Sequence, residues 1–268
     1  MHQHPFINIA TEAAVSAGKI IIRHFDRLDL VKVEEKAKQD FVSEVDLAAE
    51  EIIIRTIKTA YPNHGILAEE SGQMNPHSDH QWIIDPIDGT FNFIHGIPHF
   101  CISIGLSIKG KIEHGVIFDP IRQEIFTATR GRGAYLNNKR IRVSAQRQLA
   151  DAVIASNIPH GNDPHRYQEY LNVFGACMPA CARMRHAGSA ALDLAYVAAG
   201  RLDGYWAHGL RPWDIAAGTV LVFEAGGLLS DFSGGETYME SGNVVATTPK
   251  ILKGLMQTIA PVLPDSWK

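Results

Sequence analysis

The chain has 268 residues and a mass of 29.5 kDa, enough for one large α/β domain or two small ones. Apolar residues make up 46% and charged residues 20% of the sequence, as in ordinary soluble globular proteins. The net charge of −4 and a sequence pI near 6.3 argue against a nucleic-acid-binding protein. Three cysteines are too few, and an odd number, for a disulfide framework, so a reducing, cytoplasmic location is expected.

Targeting and membrane segments are not expected either. Residues 1–9 have neither the basic start nor the long apolar stretch of a signal peptide. No segment approaches the roughly 20 uninterrupted apolar residues that a membrane span needs. The basic residues between Arg130 and Arg142 are interleaved with glycines, which favours a solvated hairpin over a ligand site.

Hydrophobic periodicity and turn residues predict alternating helices and strands. The elements predicted for the first half are helix 6–25, a charged alternating segment 29–40, helix 43–61, strand 65–68, a polar loop 72–81, strand 82–84 with a turn 86–89, strands 100–108 and 112–118, strand 124–129 and strand 134–136. Those of the second half are strand 152–156, helices 164–175 and 188–199, strand 203–206, helix 213–225, strands 228–230 and 243–246, and helix 249–259.

The alternation predicts a mixed α/β fold. No linker, repeat or low-complexity stretch interrupts it. We therefore expect a single domain over residues 1–268, with one half at about 1–145 that carries the acidic motifs and a second at 146–268 that faces the substrate.

Carboxylates fall at the ends of predicted elements. Asp85 and Asp88 stand three residues apart directly after the apolar strand 82–84. An earlier strand ends in Glu69–Glu70, and Asp214 opens an apolar helix much later in the chain. Strand ends in α/β sheets converge on one edge, where such folds bind ligands. The sequence therefore predicts that these acids lie close together.

Such a cluster needs a counter-charge. Two unit charges about 4 Å apart repel by about 4 kcal/mol at an effective dielectric of 20. Oxygen ligands without a neighbouring His or Cys favour Mg²⁺ over zinc. Four carboxylates would neutralise two divalent ions and leave them able to bind a phosphate dianion, the arrangement of a two-metal, in-line displacement.

Each acidic motif also has an ordinary structural explanation. Asp, Pro and Gly dominate turns, so residues 85–90 could form a plain turn. Glu69–Glu70 could be solvated, and Asp214 could be a first-turn acid of its helix. These explanations would have to hold at all three places at once, so the metal-binding hypothesis is favoured.

Five segments together resemble the signature motifs of the inositol monophosphatase family, in order and spacing, over essentially the whole chain. The segments are Asp40-Phe41-Val42-Ser43-Glu44-Val45-Asp46, Glu69-Glu70-Ser71, Trp82-Ile83-Ile84-Asp85-Pro86-Ile87-Asp88-Gly89-Thr90, Gly188-Ser189-Ala190-Ala191 and Trp213-Asp214-Ile215-Ala216-Ala217-Gly218. The bacterial inositol-1-monophosphatases are the most similar branch. The resemblance implies a layered αβαβα sandwich, two or three Mg²⁺ ions per active site and a cytoplasmic homodimer.

The resemblance also implies roles for single residues. One metal site would comprise Glu69, Asp85 and the backbone carbonyl of Ile87, and the second Asp85, Asp88 and Asp214. Glu69 and Thr90 would hold the attacking water, with Asp46 orienting the Thr90 hydroxyl. Asp46 also fits a capping box with Ser43, and the catalytic interpretation is favoured.

Substrate contacts follow from the same motifs. The residues implied are Asp88, Gly89, Thr90, Gly188, Ser189, Ala190 and Asp214. The N–H groups of Gly89 and Thr90 would cradle the phosphate at a helix start. Residues 188–190 would contact the hydroxyl-bearing body of the substrate, or would only allow close helix packing; the sequence favours neither.

Three positions depart from the family pattern. Phe91 stands where the family usually has a second threonine after Thr90. The family lysine before the Asp-x-Val stretch corresponds to Lys36 or Lys38. Seven residues before Asp214, the glutamate that binds inositol hydroxyls in the family is replaced by Ala207. The next residue, His208, could substitute for that acid or face solvent.

These observations predict a Mg²⁺-dependent phosphatase that hydrolyses myo-inositol 1-phosphate or a similar small monoester with a metal-activated water. One alternative is a phosphatase of another ester, such as histidinol phosphate, fructose 1,6-bisphosphate or a nucleotide phosphate. Another is a regulatory binding partner of the transcription machinery, since some bacterial members of the family associate with it. The expected ligand is a phosphorylated metabolite, with no membrane and no nucleic acid as partner.

Overall fold

The structure is a computed structural model that describes residues 4–37, 40–159 and 163–267. The first half contains α1 (Pro5–Phe25), β1 (Val33–Ala37), β2 (Asp40–Ser43), α2 (Glu44–Ala60), β3 (Gly65–Ala68), β4 (Gly72–Met74), β5 (His80–Asp88), α3 (Thr90–Ile94), β6 (Cys101–Ile108), β7 (Lys111–Asp119), β8 (Glu124–Thr129), β9 (Gly133–Leu136) and β10 (Lys139–Arg140). The second contains β11 (Val153–Ser156), α4 (Pro164–Cys177), β12 (Arg183–Arg185), α5 (Ala190–Ala198), β13 (Gly204–Ala207), α6 (Pro212–Glu224), β14 (Leu228–Ser230), α7 (Tyr238–Ser241), β15 (Val244–Thr247) and α8 (Leu252–Ile259).

Two main sheets organise these elements, and β1 and β2 pair as a separate two-stranded antiparallel sheet. The large sheet has eight strands in the order β10-β9-β8-β7-β6-β5-β3-β4, and only β3 and β5 pair in parallel. The small sheet has five strands in the order β12-β11-β13-β15-β14. All strands of the large sheet precede residue 141 and all strands of the small sheet follow residue 152. The predicted division near residue 145 falls between them and stays a prediction.

Side chains on the two faces of each sheet pack against different helices, which gives the molecule five layers. On β5, Trp82 and Ile84 point into a cluster with α1 and α2, while Ile83 between them belongs to a cluster with α5 and α6. On β13, Tyr205 faces α5 and α6, while Trp206 faces α4 and α8. Because successive strand residues point to opposite faces, each sheet is covered on both sides. The result is the αβαβα sandwich that was predicted, and the fold class is confirmed.

Glycines let α6 approach the large sheet closely. A Cβ on Gly105 of β6 would lie 2.8 Å from the Ala216 side chain, and one on Gly115 of β7 would lie 2.7 Å from the Ala217 carbonyl oxygen. Larger residues at these two positions would push α6, which begins with the Asp214 turn, away from the sheet.

The predicted helices and strands are found with end shifts of one to three residues at most boundaries, and three local differences stand out. The predicted loop 72–81 contains β4, an edge strand that has no apolar alternation and is formed by backbone pairing with β3. β5 continues through Asp88 rather than ending before Asp85, with an irregular register opposite β6 between Asp85 and Asp88. The elements β2, β10, β12 and α7 were not predicted. Lys38 lies outside the described residues.

Helix α1 is long and apolar enough to cross a membrane by length and composition alone, and it is the single such helix among the described residues. Its buried face includes Ile7, Ala14 and Ile21, which join the cluster against α2 and the large sheet. Core helices pass the same test, so this is weak grounds for a membrane span.

Candidate metal centre

Three carboxylates meet where β5 ends and α6 begins. Oxygen atoms of Asp85, Asp88 and Asp214 all lie within 4.8 Å of one another. Asp85 is opposite Ser103 in the β5–β6 register, and the Ser103 hydroxyl donates to the carbonyl of Trp213 at 3.1 Å. This contact holds the start of α6 beside the end of β5, so residues more than 120 positions apart share one site.

The electrostatics of the cluster call for a cation. Burial, followed by the charges of Glu69, Asp88 and Asp214, raises the pKa of Asp85 well above its ordinary value. Burial and the Asp88 charge likewise raise the pKa of Asp214, although the backbone N–H of Arg211 donates to it at 2.8 Å. Asp85 is only 2% exposed, and its Oδ1 has no hydrogen-bond partner. Buried oxygens are normally paired, so an unpaired carboxylate oxygen in an acidic cluster fits a hard metal ion.

Asp88 is held by the N-terminus of α5. The hydroxyl of Ser189 donates to its Oδ2 at 2.5 Å, and the backbone N–H of Ala191 donates to the same oxygen at 2.7 Å. The N–H of Ala190 reaches Oδ1 at 3.3 Å. The predicted substrate residues Ser189 and Ala190 thus direct these donors at Asp88. Their predicted contact with the substrate stays a prediction.

Asp46 makes the contacts that both interpretations require, and its catalytic role stays a prediction. Its Oδ2 accepts from the N–H of Ser43 at 2.8 Å and from the Ser43 hydroxyl at 2.5 Å, which completes a capping box at the start of α2. Its Oδ1 lies 3.0 Å from Oγ1 of Thr90, which is equally close to the carbonyl of Ile87. One carboxylate therefore caps a helix and positions the threonine.

Two glycines allow the segments beside the cluster to meet. Gly89 has φ +99°, and a Cβ there would lie 3.1 Å from the carbonyl oxygen of Gly188, which itself has φ +85°. The side-chain amide of Asn92 donates to the carbonyls of His99 at 2.7 Å and Ala187 at 2.8 Å. Asn92 therefore ties α3 to the segment that leads into α5, an arrangement that the sequence analysis did not predict.

Glu69 follows β3 and lies near enough for its charge to raise the pKa of both Asp85 and Asp214, but the oxygens within 4.8 Å of one another belong to Asp85, Asp88 and Asp214. Its backbone N–H donates to the carbonyl of Ile84 at 3.1 Å. The turn after it is held by Glu50 of α2, which was also missed. The signal available in the sequence was an acid four residues after Asp46, on the same face of a helix.

Nearly the whole chain matches a known protein family. The model of the inositol monophosphatase family matches residues 2–265. The chain belongs to the inositol monophosphatase family. The predicted resemblance is therefore confirmed. Family membership supports a phosphatase, and the family's metal dependence agrees with the acidic cluster.

Individual members of the family are similar over nearly their full length. "Nus factor SuhB" of Pseudomonas aeruginosa is 50% identical over 268 residues, covering 98% of this chain and 99% of that protein. The structure of the extragenic suppressor protein suhB from Bartonella henselae has a TM-score of 0.92 at 43% identity, with 96% and 98% coverage. An IMPase from Thermotoga maritima has a TM-score of 0.87 at 34% identity, with 97% and 98% coverage.

The structure shows the burial and the contacts of three residues at or next to the departures from the family pattern, Ala207, His208 and Phe91. Ala207 is fully buried at the end of β13. His208 is half-buried; its Nδ1 lies 2.7 Å from Oδ1 of Asn243, and its ring stacks on Trp267 at 4.0 Å between centroids. Burial lowers the pKa of His208, which favours its neutral form. Phe91 is 50% exposed and stacks on His95.

Proposed function

We propose that this protein is a Mg²⁺-dependent phosphatase that hydrolyses myo-inositol 1-phosphate or a similar small phosphate monoester. The observation that carries the proposal is the cluster of Asp85, Asp88 and Asp214, with the unpaired Oδ1 of Asp85 inside it. Oxygen donors alone favour Mg²⁺ over softer metals. The residues proposed to hold two or three ions are Glu69, Asp85, the carbonyl of Ile87, Asp88 and Asp214.

When bound, Mg²⁺ would supply Lewis-acid stabilisation of the phosphoryl oxygens and activation of water. The protein's own groups would orient that water. The hydroxyl of Thr90 has two acceptors for its single proton, Asp46 and the Ile87 carbonyl, each at 3.0 Å. The proton of the Thr90 hydroxyl would therefore point to one of these two acceptors, and its oxygen lone pairs would accept a hydrogen bond from the attacking water. Glu69 would accept the second hydrogen of that water.

The substrate would bind between two backbone segments. The N–H groups of Gly89 and Thr90 would donate to the phosphate, and Gly188, Ser189 and Ala190 would contact the hydroxyl-bearing body. The approach of Gly89 to Gly188 supports a shared surface. Since Ala207 replaces the acid that binds inositol hydroxyls in the family, we expect tolerance of other polyol phosphates.

Phosphate release tests this proposal. The panel comprises inositol 1-phosphate, histidinol phosphate, fructose 1,6-bisphosphate and a phosphoadenosine nucleotide, each with Mg²⁺ and with a chelator, and Asp88→Asn serves as the inactive blank. We expect Mg²⁺-dependent turnover led by inositol 1-phosphate. Turnover led by another ester would keep the chemistry and change the substrate. No turnover of any ester would overturn the enzyme assignment.

A second candidate function is a binding role in the transcription machinery. It is favoured by the name "Nus factor" given to relatives at 48–50% identity. Genetic complementation separates the two: if Asp85→Asn restores a deletion strain as well as the wild-type gene does, the physiological role is binding. If it fails while the protein is present at normal levels, catalysis is required.

We also propose a cytoplasmic homodimer, supported by the resemblance to family members. Sedimentation of the purified protein at micromolar concentration tests the dimer directly. A monomer throughout the concentration range would contradict it.

A further inference from the structure

A second buried acid on α2 contacts the segment that carries Glu69. Glu50 is only 3% exposed. Its Oε2 accepts from the backbone N–H of Glu70 and its Oε1 from that of Ser71, each at 2.8 Å. One carboxylate thus spans the two peptide groups that directly follow Glu69.

Glu50 lies one helical turn after Asp46, so both side chains emerge from the same face of α2. Asp46 contacts Thr90, and Glu50 contacts the turn after Glu69. These are the two segments proposed to hold the attacking water. Helix α2 therefore reaches both of them through paired carboxylates from a single rigid element.

We infer that Glu50 is a positioning residue of the metal centre: it fixes the turn 69–71 and thereby the direction of the Glu69 side chain. The inference rests on the proposed function, because it assigns Glu69 to the metal site. Glu50 is not among the three carboxylates whose oxygens lie within 4.8 Å of one another. It acts as the outer groups around metal ligands do, by fixing the orientation of a ligand.

The chemistry of the contact requires a carboxylate. Two N–H donors meet two acceptor oxygens, and each bond is charge-assisted. A glutamine would accept one of the bonds and place an NH₂ group against the other N–H. An aspartate would keep the charge but is one methylene shorter, so it would not reach both donors.

The same kind of contact elsewhere in the fold provides a matched control. Glu224 accepts from the N–H groups of Gly131 at 2.7 Å and Gly133 at 2.6 Å. It lies at the end of α6, ten residues from Asp214 and therefore about 15 Å along the helix. Glu224→Gln disturbs a two-donor carboxylate without touching the metal centre.

The experiment compares wild type, Glu50→Gln, Glu50→Asp and Glu224→Gln. Mg²⁺ affinity is measured by titration calorimetry, kcat and KM by phosphate release, and folding by thermal melting. We expect Glu50→Gln to lose about 10- to 100-fold in Mg²⁺ affinity and in kcat, the range found for outer-sphere partners of metal ligands. Glu224→Gln should melt lower with both quantities within twofold of wild type. If Glu50→Gln does not fold, Glu50→Asp carries the test.

Wild-type Mg²⁺ affinity and kcat in a folded Glu50 variant would overturn the inference. An equal loss of affinity in Glu224→Gln would overturn it too, because the effect would then be general destabilisation. If wild type hydrolyses no ester but Glu50→Gln still weakens Mg²⁺ binding selectively, the positioning role stands and the proposed reaction falls.

Discussion

At the scale of single residues, carboxylates with two separate contacts organise this protein. Asp46 uses one oxygen for its helix cap and the other for Thr90. Asp88 receives the hydroxyl of Ser189 and backbone N–H groups of α5 while it faces the acidic cluster. Each carboxylate therefore connects secondary structure to the site, and a substitution there affects both folding and chemistry.

Thr90 provides the sharpest test at this scale. Thr90→Val keeps the shape but removes the hydroxyl that contacts Asp46 and the Ile87 carbonyl. We expect kcat to fall by about 10²-fold with KM little changed, because the group that orients the attacking water is lost. Steady-state kinetics would show this, and Thr90→Ser should stay near wild type. A kcat for Thr90→Val within threefold of wild type would contradict the assigned role.

At the scale of elements, α6 is both the central packing helix and the carrier of Asp214. It lies between the two sheets, against Gly105 and Gly115 on one side and against α5 on the other. A displacement of α6 would therefore move the Asp214 carboxylate of the acidic cluster as well as open the core.

Gly105→Val tests this coupling. Its side chain would overlap Ala216, whose Cβ lies 2.8 Å from the ideal Cβ position. We expect the free energy of unfolding to fall by about 1–3 kcal/mol, as in overpacked cores, together with weaker Mg²⁺ binding. Urea unfolding and titration calorimetry measure the two effects.

Gly175→Ala is the matched control in α4, where a Cβ would meet no atom within 4 Å. It should raise the free energy of unfolding by roughly 0.5–1 kcal/mol and leave Mg²⁺ binding unchanged. Unaltered Mg²⁺ affinity in a destabilised Gly105→Val would show that α6 packing and the metal centre are independent.

At the scale of the whole molecule, we expect the acidic cluster to lower the free energy of unfolding when no divalent ion is bound. Burial, followed by the neighbouring acidic charges, raises the pKa of Asp85, so its ionised form costs stability. The contribution is favourable below the ordinary carboxyl pKa and is lost as the pH rises through the folded value. We expect Asp85→Asn to melt several degrees higher than wild type at pH 7.5 without divalent ions. Calorimetric scanning measures this, and an equal or lower melting temperature would contradict it.

Mg²⁺ should reverse that order. An ion that binds only the folded protein raises the melting temperature in proportion to ln(1 + [Mg²⁺]/Kd). Wild type should therefore gain stability on addition of Mg²⁺, while Asp85→Asn gains little. A wild-type melting temperature that is insensitive to Mg²⁺ would contradict metal binding at this cluster.

A buried histidine makes global stability depend on pH. Burial, then the facing His4 and Arg132, lower the pKa of His114 from 6.5 to about 4. The unfolded chain takes up this proton near pH 6.5 and the folded protein only near 4, so its contribution is complete above 6.5 and falls as the pH drops toward 4. Urea unfolding at pH 7.5 and 5 should show a smaller difference for His114→Gln than for wild type. His165→Gln, at an exposed position, should behave as wild type.

Much of the fold could be predicted because local patterns act over short distances. The apolar period of α1 and the cap at Ser43 each act over a few residues. Strand-end acids predicted the cluster because β3 and β5 pair in parallel, so their carboxyl ends lie at the same edge of the sheet. The family motifs added residue roles that no local pattern supplies.

At two places the local sequence pattern and the pairing with a neighbouring strand indicate different structures, and the strand pairing determines the structure that forms. Pro86 and two aspartates predicted the end of a strand after Ile84, yet pairing with β6 resumes at Asp88 beyond an irregular stretch. β4 has no strand pattern of its own and exists because β3 offers unpaired backbone groups at the edge of the sheet. Such contacts depend on partners that are distant in the chain.

The sequence by itself determined which residues could hold a cation, because carboxylate chemistry and motif spacing are local properties. Only the tertiary structure decided how those residues are held. The contacts of Glu50 with the turn 69–71, of Ser189 with Asp88 and of Ser103 with Trp213 join positions 20 to 110 residues apart. They arise when apolar faces pack the layers together, and no pattern within a short window of sequence specifies them.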